Sequence, residues 1–375
     1  MSRTAAVAAI VAVGAGWVLL TGQAQPQHES RAFRMGFTPF PYDATLEAVA
    51  GVRGYLATDA DIVAAHFEGV PWTEAASGEP FRRNLADSFA MTRAAVPPGA
   101  QVYLAVSPLD MMRKGMAAYR GDTEGLPIPE PFAGKALDDP VVVQAYLAYC
   151  RRAIEYFGPS YVCVGIEVNE LFRNSPEQWP SYVRLHEQVY RALKADRPEL
   201  PIFVSLTLHD LMGPSKTEEQ RAATLAAIRQ IMPYSDLVAI SFYPFIGMLE
   251  SRVRECLDWL DREFGALGKP FAVAEMGESA EPIRWEPMGI TIPASPEGQR
   301  DVLRAMLDFA RTHEFRFLIW FVCRDYDALW TKMKDQAPDI FILWRDCGLL
   351  DGEGASRPAH ELWRQEFALP LAEGR

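Results

Sequence analysis

Lys269–Gly277 reads KPFAVAEMG, in which the apolar run Phe271–Ala274 ends on a carboxylate, Glu275. The run is too short for a helix and fits a strand buried on both faces, the kind found in parallel sheets. Seven further runs of the same kind occur along the chain: Arg34–Pro39, Ile62–Phe67, Gln101–Ser107, Tyr161–Val168, Pro201–Thr207, Leu237–Tyr243 and Phe317–Val322. Longer amphipathic stretches separate them. In Pro140–Phe157 the apolar residues Val142, Tyr146, Tyr149, Ala153 and Phe157 share one helical face. Trp179–Asp196 and Glu218–Met232 are similar, and Glu297–His313 is preceded by Ser295-Pro296, a helix cap with proline at the first helical position.

Eight strand–helix units without repeats or low-complexity segments predict one α/β domain, a single (β/α)₈ barrel over residues 32–370. An open doubly wound sheet would need a glycine-lined phosphate loop after its first strand. That place holds Phe37-Thr38-Pro39-Phe40-Pro41-Tyr42, which excludes dinucleotide binding.

Active sites of such barrels lie at the carboxyl ends of the strands. The residues closing the runs are polar and aromatic: Phe40 and Tyr42; His66, Glu68 and Trp72; Ser107 and Asp110; Glu167, Asn169 and Glu170; His209 and Asp210; Tyr243; Glu275; and Trp320, Arg324 and Asp325. Aromatic faces stack on sugar rings and carboxylates do acid–base work, so this end suits a carbohydrate. Hydrolysis of a glycoside with retention needs two carboxylates about 5–5.5 Å apart. Strands four and seven can supply them.

On these residues the sequence resembles the clan A glycoside hydrolases, and within them the endo-β-1,4-galactanases of family 53. Asp236–Phe245, DLVAISFYPF, is similar to that family's strand-six motif. Lys269–Gly277 is similar to its strand-seven motif, and Cys347–Trp363, CGLLDGEGASRPAHELW, to the ending of many clan A domains. The resemblance covers strands four to eight and is weak over residues 31–135. It implies a retaining mechanism with Glu275 as nucleophile, held by Tyr243. In Pro159–Asn169, PSYVCVGIEVN, a gapless alignment makes Glu167 the acid/base, with Ile166 where the family has asparagine. The alternative is the Asn169-Glu170 pair, three residues later. Trp320 stands where the family has the aromatic floor of the central subsite. Asn169, Tyr243, Trp320, Trp72, His66 and His209 form the expected substrate-binding set, and Trp285 and Trp330 are candidates for outer subsites. For His66, His209, Trp320 and Tyr243 the competing reading is a core or loop role.

No cofactor and no metal are expected, because no His-x-x-x-His or Cys-x-x-Cys spacing occurs. The net charge of −12 argues against a nucleic-acid partner. Arg3 followed by the uncharged run Thr4–Gly22 and by Gly22-Gln23-Ala24 reads as a signal peptide over residues 1–24, with a linker over 25–31. The chain is therefore expected outside the cytoplasm as a monomer, membrane-bound only if the segment is kept as an anchor. Cys163 and Cys323 read as core residues, and a Cys323–Cys347 disulfide is open. The expected function is hydrolysis of a poly- or oligosaccharide. The alternative, motivated by Ile166, is a barrel that binds glycan without cleaving it.

Overall fold

Eight strand–helix units recur around a ring in the computed structural model, which describes residues 30–286, 289–336 and 338–372. The barrel strands are β1 (Arg34–Phe37), β2 (Ile62–Phe67), β3 (Gln101–Val106), β4 (Tyr161–Cys163), β5 (Ile202–Phe203 and Ser205–Thr207), β6 (Val238–Phe242), β7 (Phe271–Met276) and β8 (Phe315–Trp320). All neighbours pair in parallel, and β1 lies between β2 and β8. The first half of β5 pairs with β4 and the second half with β6, so this interrupted strand closes the ring. The chain is thus a (β/α)₈ barrel.

One long helix follows each strand: α1 (Leu46–Asp59), α2 (Arg83–Ala95), α3 (Pro140–Phe157), α4 (Trp179–Asp196), α5 (Glu218–Ile231), α6 (Val253–Phe264), α7 (Pro296–Thr312) and α8 (Pro358–Phe367). Their starts are written locally. The Asp139 carboxylate accepts from the Val141 amide ahead of Pro140, Thr217 and Gln220 form a reciprocal capping box, and the Ser295 hydroxyl accepts from the Gly298 amide. No described helix is long and apolar enough to cross a membrane.

Two cores result from the strand alternation. Outward side chains such as Val63, Ala65, Val273 and Leu318 pack under the helices. Inward ones fill the barrel: Ile62, Ala64, Tyr103, Cys163, Phe203, Ala239, Ala272, Phe317 and Ile319. Tyr103 stacks on Phe203 at 5.8 Å and meets Phe317 at 4.8 Å, plugging the interior below the mouth.

Three readings of the sequence change. The fourth run extends to Val168, yet strand pairing ends at Cys163. Beyond it the Ile166 amide donates to Ser107 Oγ at 3.4 Å and the Glu167 amide to Ser205 Oγ at 2.9 Å. Hydroxyls of the adjacent strands thus join the backbone bonds that still tie Val164, Gly165 and Val168 to Phe203 and Ser205, and the chain turns. Arg31, assigned to the linker, is buried, exchanges backbone hydrogen bonds with Pro370 and Ala372, and pairs with Asp61 at 2.6 Å. All five cysteines are buried free thiols, so no Cys323–Cys347 disulfide forms. Residues 1–24, expected to be a signal peptide, lie outside the described residues.

Candidate active site

Alternation along the strands decides which side chains reach the mouth. On β2 the inward phase of Ile62 and Ala64 continues to His66 and then Glu68. On β6 the phase of Ala239 continues to Ser241 and Tyr243. On β7, with Ala272 and Ala274 inward, strict alternation would turn Glu275 out among the helices. The pairing prevents this: Ile240 faces Val273, but Ser241 faces Glu275, so Ala274 is an extra residue in β7. A bulge of this kind re-aims the side chain that follows it. It swings Glu275 into the mouth beside Ser241 and Tyr243. Gly277 then gives the Tyr243 ring room, because a Cβ there would lie 2.9 Å from it.

The side chains so gathered form a closed circuit. Tyr243 Oη donates to Glu275 Oε1 at 2.5 Å, and His66 Nδ1 lies 3.2 Å from Glu275 Oε2. His66 Nε2 is 3.6 Å from Glu68 Oε1. Glu68 accepts a two-pronged hydrogen bond from Arg113, at 2.9 and 3.2 Å, and Arg113 Nη2 is 3.5 Å from Glu167 Oε2. Ser241 Oγ donates to Glu167 Oε1 at 2.6 Å, which returns the circuit to β6. Glu68, His66, Glu167 and Glu275 are each partly exposed, so the circuit faces solvent. Two of its members, Arg113 (φ 51°) and Glu167 (φ 54°), hold left-handed backbone conformations that non-glycine residues rarely adopt. Such conformations cost about 1–3 kcal/mol each and concentrate at functional sites.

The surroundings divide the carboxyls. Burial raises Glu167, the Arg113 charge opposes this, and the Glu275 charge adds to the rise. Glu170, in the next helical turn, is raised to about 7 by burial and by the Glu167 charge. Glu68 goes the other way: the Arg113 charge and the His66 contact outweigh burial and hold it at about 2. Burial alone would lower His66, but its two carboxylate partners raise it to about 10, so it is an imidazolium at neutral pH. The site therefore sets a carboxyl whose proton affinity burial raises, Glu167, apart from one held ionised, Glu68, with a cation beside Glu275, the kind of separation that acid–base chemistry uses.

Several residues expected to bind substrate are placed elsewhere. Asn169 is buried, and its amide clips β5, accepting from the Thr207 amide at 2.7 Å and donating to the Thr207 carbonyl at 3.3 Å. Trp72 is buried against Phe132, with its indole N–H on the Ala117 carbonyl at 2.9 Å. Trp320 is buried too, its N–H on the Cys347 carbonyl at 2.7 Å. It lies on the outward phase of β8 and belongs to the helix-side core. None of the three offers a face to a sugar, so these expectations are corrected. His209 Nδ1 accepts from the Tyr243 amide at 3.2 Å, and burial, helped by the Arg173 charge, lowers its pKa to about 3. It is a neutral ring that orients Tyr243.

Other aromatic residues stand at the mouth instead. Phe321, one position after Trp320 and back on the inward phase, lies 6.1 Å from the rings of Phe40 and Tyr243. Phe40 is 6.3 Å from His66, and Trp344 is 5.8 Å from Tyr243. These half-buried aromatics line the mouth beside Glu275. Counting parity from Phe317 would have found Phe321. Arg113 and Ser241 carry no such signal, because an arginine in a long loop and a serine inside a strand are ordinary.

This parity yields a test. Trp320→Phe removes a buried hydrogen bond and is expected to cost about 1–3 kcal/mol of stability without changing KM. Phe321→Ala removes a stacking face worth about 0.5–1.5 kcal/mol and is expected to raise KM roughly 2–10-fold. Thermal melts and steady-state kinetics check both, and a raised KM with unchanged stability in Trp320→Phe contradicts the placement. Tyr243→Phe deletes a hydrogen bond to a charged group, worth about 1.5–3 kcal/mol, and kcat/KM is expected to fall roughly 10–100-fold.

In the segments after β8, Asp325, Asp327 and Asp346 approach closely enough to share an ion. Arg357 pairs with Asp325 at 2.7 Å, and Arg345 pairs with Asp346 at 2.6 Å and lies 3.8 Å from Asp327, so each of the three already faces an arginine.

No protein-family model matches this chain, and no curated protein matches it by sequence. Solved structures do match. An exo-β-1,4-mannosidase from Opitutaceae bacterium strain TAV5 is 15% identical, with a TM-score of 0.60 over 90% of this chain and 59% of that one. A GH5_18 protein from Bifidobacterium longum subsp. infantis is 16% identical, with a TM-score of 0.60 over 92% and 81%. The GH53 catalytic domain from Ignisphaera aggregans is 18% identical, with a TM-score of 0.56 over 91% and 96%. The chain thus spans less than two thirds of the mannosidase and nearly all of the GH53 domain. Its fold is the (β/α)₈ barrel that these solved structures share, in a divergent sequence.

Proposed function

We propose that the protein is a retaining glycoside hydrolase acting on a β-linked poly- or oligosaccharide. The observation that carries this is the pair Glu275 and Glu167, brought together beside Ser241 at the mouth, each held by a hydroxyl and a cation. Glu275, oriented by Tyr243 and His66, attacks the anomeric carbon, and the bond to the leaving oxygen breaks as Glu167 protonates it. Glu167 then takes a proton from water, which attacks the same carbon and releases Glu275. Arg113 and Ser241 hold Glu167 in place through both steps. Glu170 is the alternative acid/base, favoured by its proton affinity, but it sits outside the circuit. The exo-β-1,4-mannosidase neighbour supports a β-linkage. The N-terminal sequence supports export from the cytoplasm.

The second reading is a barrel that binds glycan without cleaving it. It is favoured by Ile166, which packs against the barrel interior where the galactanases have asparagine. Incubation with β-mannans, β-galactans and aryl β-glycosides, with product anomers followed by proton NMR, separates the two. Release of sugar with retained configuration supports the hydrolase. Glycan binding without release supports the binder.

A further inference from the structure

Between the two proposed catalytic carboxylates lies a third, Glu68, to which the mechanism above assigns no step. It follows β2, faces the barrel axis, and touches two cations at once. Arg113 grips it with both prongs of its guanidinium, at 2.9 and 3.2 Å, and His66 Nε2 stands 3.6 Å away. Each cation also faces a proposed catalytic group: Arg113 lies 3.5 Å from Glu167, and His66 lies 3.2 Å from Glu275.

The geometry is unequal in a way that has chemical meaning. An arginine fork fits one carboxylate fully. Here it is spent on Glu68, and Glu167 receives only the longer single contact. A guanidinium fully engaged with Glu167 would strip the proton that a general acid must carry. Arg113 is moreover anchored within reach of both carboxylates, and its fork stays on Glu68 while Glu68 is ionised. It is buried, its backbone takes φ 51°, its Nη1 also donates to the Asp110 carbonyl at 2.8 Å, and Glu68 supports its charge.

We infer that Glu68 is a positioning residue: by occupying the Arg113 fork it withholds that cation from Glu167 and leaves Glu167 able to carry the proton for the leaving group. The inference rests on the reading of Glu167 as acid/base. The ionisable groups facing Glu167 are Arg113 from the loop after β3, Glu68 after β2, Glu275 on β7 and Glu170 in the helical turn that follows. Tyr103 and Tyr243 also feel its charge. Of these only Arg113 is a cation, so its distribution decides the balance. Glu68 stays ionised well below neutral pH and serves as a fixed anion throughout the working range.

The test titrates the full chain labelled with ¹³C at the glutamate side-chain carboxyl, the Glu167 resonance being assigned by its loss in Glu167→Gln. Glu68→Gln frees the fork for Glu167, and the Glu167 midpoint is expected to fall by about one pH unit or more. The alkaline limb of kcat/KM should move down with it. Arg113→Met should raise the Glu167 midpoint, and the double variant should return it to the wild-type value or above. Glu68→Asp, which keeps the charge, should stay close to wild type. If Glu68→Gln alone does not fold, the comparison of Glu68→Gln/Arg113→Met with Arg113→Met replaces it. In that background removing Glu68 should barely move Glu167. An unchanged Glu167 midpoint in Glu68→Gln overturns the inference, as does an equal fall with and without Arg113. Because the titration needs no turnover, its failure is distinct from failure of the hydrolase reading. An inactive protein that shows the shifts retains the effect of Glu68 on Arg113 and Glu167 and loses the hydrolase.

Discussion

Glu275→Gln is expected to lose turnover by at least about 10⁴-fold, the scale seen when a covalent nucleophile is removed, while remaining folded. The amide has the size of the carboxylate and its carbonyl oxygen can still accept from Tyr243 Oη, so the packing around β7 has no reason to change. What it lacks is a nucleophilic oxygen for the anomeric carbon. It also leaves the His66 imidazolium with Glu68 as its remaining carboxylate contact. The effect on stability should therefore be about 1–3 kcal/mol, the range for hydrogen bonds to charged groups. Steady-state kinetics beside a thermal melt check the prediction. Wild-type-like activity ends the assignment of Glu275.

Glu167→Ala should show the selective defect of a missing acid/base. Removing the proton donor hurts most where the leaving group is poor, so activity on natural glycans should fall by about 10²–10⁴-fold. An aryl glycoside needs little protonation. Its first turnover should survive, the covalent intermediate should accumulate, and added azide should replace activated water in the second step. Glu170→Ala should show neither pattern. Glu170 contacts Arg173 at 3.3 Å, within a rim cluster in which Arg173 also holds Asp210 at 2.9 Å, and it does not touch the circuit around Glu275. Azide rescue in the Glu170 variant and not in the Glu167 variant would transfer the role to the Asn169-Glu170 pair.

The barrel was legible because its signal is repeated. Eight apolar runs separated by amphipathic stretches leave little choice of architecture, and the ends of α3 and α4 follow from their periodicity and flanking residues. The candidate site was legible in so far as a charged or aromatic group closes a run. His66, Tyr243, Glu167 and Glu275 all stand at such places, and the structure brings them together. What misled was local parity. Trp320 ends its run and has the right chemistry for stacking, but it is one residue out of phase with Phe317 and Ile319 and faces the helices. Glu275 is also out of phase with Ala272 and Ala274, and only the extra residue in β7 turns it inward. A bulge is a property of two paired strands, so a single run does not announce it. Asn169 illustrates another limit. A buried amide that clips a neighbouring strand has the same one-letter signature as one that binds a sugar.

The central claim is that Glu275 becomes covalently bonded to the sugar. Once the panel of glycans has identified a substrate, its 2-deoxy-2-fluoro analogue with an activated leaving group slows the second step and allows the intermediate to be trapped. Digestion and mass spectrometry then locate the added sugar. The account predicts one label per chain, on the peptide that contains Glu275, and no label in Glu275→Gln. A label on a peptide containing Glu167 or Glu170, or full turnover of the substrate with inversion and no trapped species, would contradict it.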